Sequence, residues 1–408
     1  MEQKRKATLQ NRIFFFILLL IYLAVTLFLF HRQSVNYSGE YVSDIQPYIQ
    51  EMQGIESGYD FPYPVLFLTG RFFLLFTTPQ HAMAIALTLL NGLTAPMLKV
   101  FFDSYLKVSD SASGKRGIFS SLLVFALLFA SMLYPLTYLG RYLPFGEEYL
   151  YRYLGVFTPN PYHNATYLAA RPFTVPAFFL FADVLSFYEK ENRWFHPKYL
   201  LMGLSLLLAT LTKPSFTLVF VASAGLIMLF RLIRSRFRGI KAFFQCGIWF
   251  IPIFCALLYQ FGNVFRPQGG EDKGIGVGFF KAWSSVCDNI PGAILLATAF
   301  PLTVLLFCAA QRRLPAILKF AWQFFLMAFA TLALLYEKGY RFEHMNFSWG
   351  YMHGLFFLYT VSLLVLGQKS LRRDSPRWQL SVQWAVFGLH LVCGFDYFRI
   401  LLRGGLFY

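Results

Sequence analysis

The chain is short of acids, of charge in general and of cysteines that could pair. Of 408 residues only 14% are charged, and the 20 Asp and Glu are outnumbered by 36 Lys and Arg, for a formal net charge of +16. With 57% hydrophobic and 20% aromatic residues, the apolar surface exceeds what one soluble core could hide, which excludes an ordinary soluble domain. The five cysteines, Cys246, Cys255, Cys287, Cys308 and Cys393, show neither disulfide nor metal-ligand spacing and read as packing residues.

What is present is a series of apolar runs of about twenty residues, the length that a bilayer core about 30 Å thick demands of a helix. They predict spans at 13–30, 81–105, 118–140, 169–188, 196–212, 215–232, 242–262, 290–308, 316–335, 350–368 and 379–398. The expected fold is an all-α polytopic membrane protein of about eleven transmembrane helices, one transmembrane domain over 1–408 with no soluble domain appended. Ile13–Phe30, with no small-residue cleavage site after it, reads as a retained signal-anchor span.

The positive charge is clustered: Lys4, Arg5, Lys6 and Arg12 before the first span, then Lys115/Arg116, Lys190/Arg193/Lys198, Arg231 to Lys241, Arg312/Arg313 and Lys369 to Arg377. Each later cluster falls in a short loop between apolar runs. That is the positive-inside pattern, not a nucleic-acid stripe, and it predicts a cytoplasmic N-terminus in a multi-pass plasma-membrane protein. Pro62–Thr78 is also apolar, but a crossing there would turn the basic clusters at 231–241, 312–313 and 369–377 outward. It is therefore expected on the outer surface as an interfacial helix, with Arg71 snorkelling to headgroups, after a shorter amphipathic helix near Asp44–Gln53.

In this topology the acids gather outside. The first outer loop, 31–80, carries Glu40, Asp44, Glu51, Glu56 and Asp60; further outer loops at 141–168, 263–289 and 336–349 carry Glu147/Glu148, Glu271/Asp272/Asp288 and Glu337/Glu343. A loop of about fifty residues so rich in acid is too long for a simple connector. Asp44 could accept a proton from an attacking hydroxyl at the membrane boundary, or could cap the helix that it opens. In TPNPYHNATYLAARPF, residues 158–173, Asn160, His163, Asn164 and Arg171 could hold a phosphate or a sugar, against a turn and helix cap with Arg171 as an anchor. EKGYRFEHMNFSWGYMHG, residues 337–354, crowds Arg341, His344 and Asn346 at the same edge, with amide and imidazole groups beside aromatic rings that suit a sugar. Tyr340, Phe347 and Trp349 read as an aromatic belt, and His353 as a hydrogen-bonded interior histidine. In LLLATLTKPSFTLVF, residues 206–220, Lys213 tips a hairpin where it would snorkel or meet a lipid phosphate.

The order of these features, a first span, an outer loop with an aspartate and two surface helices, the segment FPYPVLFLTGRFFLLF and a later LATLTKPS hairpin, resembles the GT-C superfamily of polytopic glycosyltransferases over roughly the first 240 residues. The resemblance implies transfer of a sugar from a polyprenyl-phosphate carrier to an extracytoplasmic glycan, lipid or protein acceptor. It implies Asp44 as the catalytic acid of the first loop, acting as base in an inverting displacement. It further implies Lys213 and Arg171 at the lipid phosphate, and His163, Asn164, His344 and Asn346 along the sugar or acceptor pocket; Arg341 is counted with them as a substrate- or lipid-phosphate-binding residue. No cofactor is expected. SDIQP has one acid where many members have a pair, so no metal ligand is assigned. Two rival readings are a surface-polysaccharide polymerase or ligase using a lipid-diphosphate-linked glycan, and a lipid-linked sugar transporter or flippase. Transporters place charge near the bilayer midplane, whereas here Lys99, Asp103, Asp183 and Lys319 lie toward the inner span ends, which favours an enzyme.

Overall fold

The computed structural model describes residues 2–35, 39–108, 114–134, 155–265, 274–372 and 375–406. Glu147, Glu148, Glu271 and Asp272 lie outside the described residues, as do 135–140 of the third expected span.

The structure is mostly helical. The eleven apolar runs fall on α1 (Glu2–Val35), α4 (Pro79–Tyr105), α5 (Lys115–Phe129), α6 (Ala165–Phe187), α7 (Pro197–Thr210), α8 (Pro214–Arg234), α9 with α10 (Ile240–Gly247 and Ile251–Val264), α11 (Ile290–Ala310), α12 (Ala316–Leu334), α13 (Asn346–Arg372) and α14 (Arg377–Leu402). Among the described residues nine helices are long and apolar enough to cross a membrane, α9 and α10 counting as one. The other two, α5 and α7, have 15 and 14 residues and rise only about 20 Å, short of the roughly 30 Å of a bilayer core. Between α1 and α4 stand α2 (Ile45–Gln53) and α3 (Val65–Leu74). At ten residues, α3 rises about 15 Å and cannot cross by itself. Two three-residue strands, β1 (Ile275–Val277) and β2 (Leu335–Glu337), pair antiparallel with Ile275 opposite Glu337.

The bundle is built around α13, which is buried from Ser348 to Gly367. A helix apolar all round belongs in an interior, because a solvent- or lipid-facing helix needs only one packed face. Its small residues set how closely neighbours approach. A Cβ on Gly354 would lie 2.7 Å from Ala328 Cβ of α12, and one on Gly350 would lie 2.8 Å from Val219 of α8. Between these contacts the aromatic rings interlock: Phe178 of α6 stacks on Phe357 at 4.3 Å and on Phe320 of α12 at 4.7 Å.

Arg71 does not snorkel. Its Nε donates to Met52 O at 2.8 Å and its Nη2 to Glu51 O at 3.2 Å, so the guanidinium satisfies the last carbonyls of α2 and clamps α3 against it. His353 is interior, but among the described residues neither ring nitrogen has a hydrogen-bond partner; the ring stacks on Tyr167 at 4.2 Å instead.

The close crossing at Gly354 makes a packing test. Gly354→Val should destabilise the bundle by about 1–3 kcal/mol, the usual cost of overpacking. Gly388→Val, where a Cβ meets nothing within 4 Å, should leave the thermal midpoint in detergent unchanged. Equal midpoints would refute the role given to Gly354.

Candidate functional site

Asp44 occupies the N-cap of α2, yet its side chain makes no capping hydrogen bond; Ser43 Oγ accepts from the Ile45 N–H at 3.3 Å instead. The Asp44 carboxylate is thereby left for another use. Its backbone N–H donates to His163 O at 3.1 Å, which docks the start of α2 onto the segment before α6.

That segment, residues 155–164, is buried throughout without regular structure, so its polar groups must be satisfied from inside the bundle. Asn160 Nδ2 donates to Leu127 O at 2.9 Å and Ala130 O at 2.7 Å, at the end of α5. Asn160 Oδ1 accepts from Arg171 Nη1 at 2.5 Å, while Arg171 Nη2 reaches Asn91 Oδ1 of α4 at 2.6 Å. Tyr162 OH donates to Leu128 O at 2.7 Å.

The segment ends in Asn164, the N-cap of α6. Its Oδ1 accepts from Tyr167 N–H at 2.9 Å, the helix cap expected of this residue type. The same oxygen accepts from Lys213 Nζ at 3.1 Å and from Thr166 Oγ1 at 3.1 Å. With the oxygen so placed, the NH2 faces Asp44 and donates to its Oδ2 at 2.6 Å. One amide therefore joins a carboxylate and an ammonium.

Lys213 is held back from solvent at 6% exposure. It precedes Pro214, which disfavours helical backbone at position 213; the residue is extended, φ −161 and ψ 118, and turns its side chain inward. Nζ also donates to Thr166 Oγ1 at 2.9 Å and lies 4.5 Å from the centre of the Trp349 ring.

Burial sets the protonation of all three groups. It raises the Asp44 carboxyl above its ordinary value, opposed by the Asn164 hydrogen bond and the positive charge of Lys213. It pushes Lys213 down to about 7, opposed by Asp44. His163 is pushed down to about 3 by burial and then by Lys213, so its ring is neutral at pH 7. A carboxylate made more basic by burial beside a lysine near neutrality is the pattern of a reactive site.

These groups line a cavity of about 460 Å³ whose far wall is Arg341, Glu343, His344, Asn346 and Trp349. Arg341 Nη2 and Asn346 Nδ2 both donate to the buried Glu337 carboxylate, at 3.3 and 2.5 Å, and the β1–β2 pairing fixes Glu337 there. His344 packs on Tyr59 and Tyr340, each at 5.6 Å. An adjoining groove of about 180 Å³ shares Lys213, Arg341, Asn346 and Trp349 and continues between α8 and α10 along Leu218, Leu257, Phe261 and Phe265. Among the described residues no group of three or more His, Cys, Asp and Glu is placed to hold a metal ion.

The structure thus brings Asp44, His163, Asn164, Lys213, Arg341, His344 and Asn346 to one cavity. It does not bring Arg171, which is fully buried seven residues into α6, bonded to Asn160 and Asn91, with its guanidinium 5.2 Å from the Phe356 ring. Sequence reasoning passed over Tyr48, Tyr59 and Tyr63, which also line the cavity, and counted Asp60 only among the acids of its loop. Tyr48 stands one helical turn beyond Asp44, a spacing that places it on the same face. Trp349 is not a belt residue: it is 9% exposed beneath Lys213.

No protein-family model, curated protein or solved structure matches this chain.

The electrostatics give a direct test. Acylation of Lys213 by a small amine-selective reagent, followed by mass spectrometry across pH, should show a midpoint near pH 7, far below that of an ordinary lysine. Asp44→Asn removes the negative charge that favours the ammonium and should move the midpoint lower. A midpoint that moves up, or stays in place, would refute the coupling.

Proposed function

We propose that this chain is a membrane glycosyltransferase of GT-C type. It would transfer a sugar from a polyprenyl-phosphate carrier to an extracytoplasmic glycan, lipid or protein acceptor, with inversion at the anomeric carbon. The observation that carries the reading is the Asp44–Asn164–Lys213 bridge, where a base and a cation face one cavity and an apolar groove opens from the cation.

The chemistry assigned to each group follows from its surroundings. Asp44, raised by burial, takes the proton of the acceptor hydroxyl as that oxygen bonds to the anomeric carbon. The bond from that carbon to the phosphate oxygen breaks on the opposite side, and its electron pair leaves with the lipid phosphate. Lys213 and Arg341, which line both the cavity and the groove, stabilise the departing charge. The groove takes the first part of the prenyl chain, and the tyrosines with Trp349 give the sugar an apolar face to stack on. Arg171 is reassigned from the phosphate to positioning, because its hydrogen bonds hold the segment that carries Asn164.

The charge distribution supports an extracytoplasmic cavity in the plasma membrane. The basic loops at 188–196, 235–239 and 311–315 stand at the helix ends opposite Asp44 and Lys213, and positive charge marks the cytoplasmic side. In that orientation the N-terminus is cytoplasmic and α2 and α3 are interfacial. Leu75 and Phe76 at the end of α3, 76% and 74% exposed, would then rest in the headgroup region.

The test uses purified protein in nanodiscs, offered polyprenyl-phosphate sugars and cell-envelope acceptors, with release of polyprenyl phosphate as the readout. Asp44→Asn should lower release by about 10²–10⁴-fold, the usual contribution of a general base. Release of lipid diphosphate, or passage of intact lipid-linked sugar across the bilayer, would replace the proposal with a polymerase or a flippase.

The pH profile is a second test. Activity needs Asp44 ionised and Lys213 protonated, so kcat/KM, which reports the free enzyme, should fall in acid as Asp44 gains a proton and fall again above about pH 7 as Lys213 loses one. Lys213→Arg keeps its charge at all these pH values and should remove the alkaline limb, whatever its effect on the maximal rate. An unchanged alkaline limb would take Lys213 out of the mechanism.

A further inference from the structure

At the end of the bundle opposite Lys213, α6, α8 and α12 part around a cleft of about 1000 Å³. Its inner wall is apolar, with Leu226, Phe230, Phe320, Leu326, Met327 and Ala330 from α8 and α12. Its mouth is cationic. Arg231 and Arg234 come from the last turn of α8 and Lys319 from the first turn of α12.

The three cations are not equivalent. Arg231 is occupied, donating to Leu185 O at 2.6 Å with Glu189 at 3.9 Å. Arg234 and Lys319 are exposed and their side chains make no hydrogen bond or ion pair among the described residues. The acid at the mouth, Asp183, is already engaged by Lys198 at 2.9 Å, so it does not cancel them. The N-terminus of α12, at Pro315 to Ile317, also forms part of the mouth and has no side-chain cap; its first N–H groups add positive potential there.

A second observation points inward. Ser223 of α8 lines the cleft, is 2% exposed, and its hydroxyl has no hydrogen-bond partner among the described residues. A buried hydroxyl inside a helix usually returns to the carbonyl four residues back, as Thr298 and Thr303 do in α11 at 2.6 and 2.7 Å. Leaving one unmade costs free energy that a bound acceptor would recover.

From this arrangement we infer that the cleft is a binding site for an anionic phospholipid of the adjoining leaflet. The phosphodiester sits between Arg234, Lys319 and the start of α12. The acyl chains follow the apolar wall between α8 and α12, and an ester carbonyl accepts from Ser223. Charge complementarity selects the class: a zwitterionic headgroup carries its own cation into the basic mouth, and a free phosphate leaves the apolar wall unfilled. Basic clefts between membrane helices recognise anionic headgroups on these terms. The inference is independent of the reaction assigned to the opposite end, and its test does not use that reaction.

The experiment is native mass spectrometry of the delipidated full chain titrated with phosphatidylglycerol or phosphatidylcholine of the same acyl chains. The wild type should retain phosphatidylglycerol in preference to phosphatidylcholine. Arg234→Gln with Lys319→Gln should weaken that retention roughly thirtyfold, at about 1 kcal/mol per cation near the surface. Arg312→Gln with Arg313→Gln, which removes two cations outside the cleft, should leave it unchanged. A phosphatidylglycerol with a photoreactive acyl chain, used on the wild type alone, should attach to α8 and α12. Equal retention of both lipids, equal loss in the two double variants, attachment elsewhere, or displacement by glycerol phosphate as effective as by the lipid would each overturn the inference.

Discussion

The candidate site depends on the orientation of one side-chain amide. Asn164 Oδ1 is committed to the N–H of Tyr167 because α6 begins there. A flipped amide would set an NH2 against that N–H and against the Lys213 ammonium, three donors with no acceptor. The NH2 is therefore turned to Asp44, and the backbone of a helix start dictates the hydrogen bonding of a carboxylate more than a hundred residues away in sequence. The lysine that shares the oxygen is placed the same way, because an extended residue before Pro214 cannot join either flanking helix. Two ordinary terminal rules, a capping asparagine and a pre-proline break, thus assemble a base and a cation without any local motif naming the pair.

The amide in turn depends on the segment before it. An irregular backbone inside a membrane bundle is tolerated only where protein groups replace water, and residues 155–164 obtain those groups from the end of α5 and from Arg171. The guanidinium is buried with amide oxygens as its hydrogen-bond partners and aromatic rings above it. Charged donors to amide oxygens are stronger than neutral ones. Arg171 therefore acts on the cavity at a distance, by holding Asn160 and with it the path of the chain to Asn164.

How much of this was readable beforehand follows from the range of each interaction. The helices were readable because a run of apolar residues about twenty long is a local property, and each expected span falls at least in part on a helix, the third only over 118–129. The lengths of α5 and α7 were less so, since their ends are set by extended backbone at Ala130 and by the Lys213–Pro214 hairpin, and not by a change in hydropathy. Polar residues clustered before spans marked His163, Asn164, Lys213, Arg341, His344 and Asn346 as candidates, because polar groups beside apolar runs are costly without a partner. What no local pattern carried was direction. Arg171 lies in the same polar stretch as Asn164 but about two helical turns further along α6, and Trp349 looks like a belt residue until Lys213 is laid over it. Arg71 likewise reads as a snorkelling cation, because the α2 carbonyls it caps belong to another helix.

The charge balance of the cavity has one further consequence. Arg341 is paired with Glu337, and Lys213 shares its field with Asp44, so the residues of the cavity carry little uncompensated positive charge. A lysine with its proton equilibrium near 7 is then a variable cation. An anionic group brought beside it favours the ammonium and raises its proton affinity, since opposite charge stabilises the ionised form. Binding an anion is therefore coupled to proton uptake, and loss of the anion to proton release, by linkage alone. Proton release at Lys213 when the anion departs weakens the hold on the next anion until the proton returns. Asp44 and Lys213 also act on each other, since the charge of each opposes the burial that disfavours the ionised form of the other, and the Asn164 amide hydrogen-bonded to both lies between them.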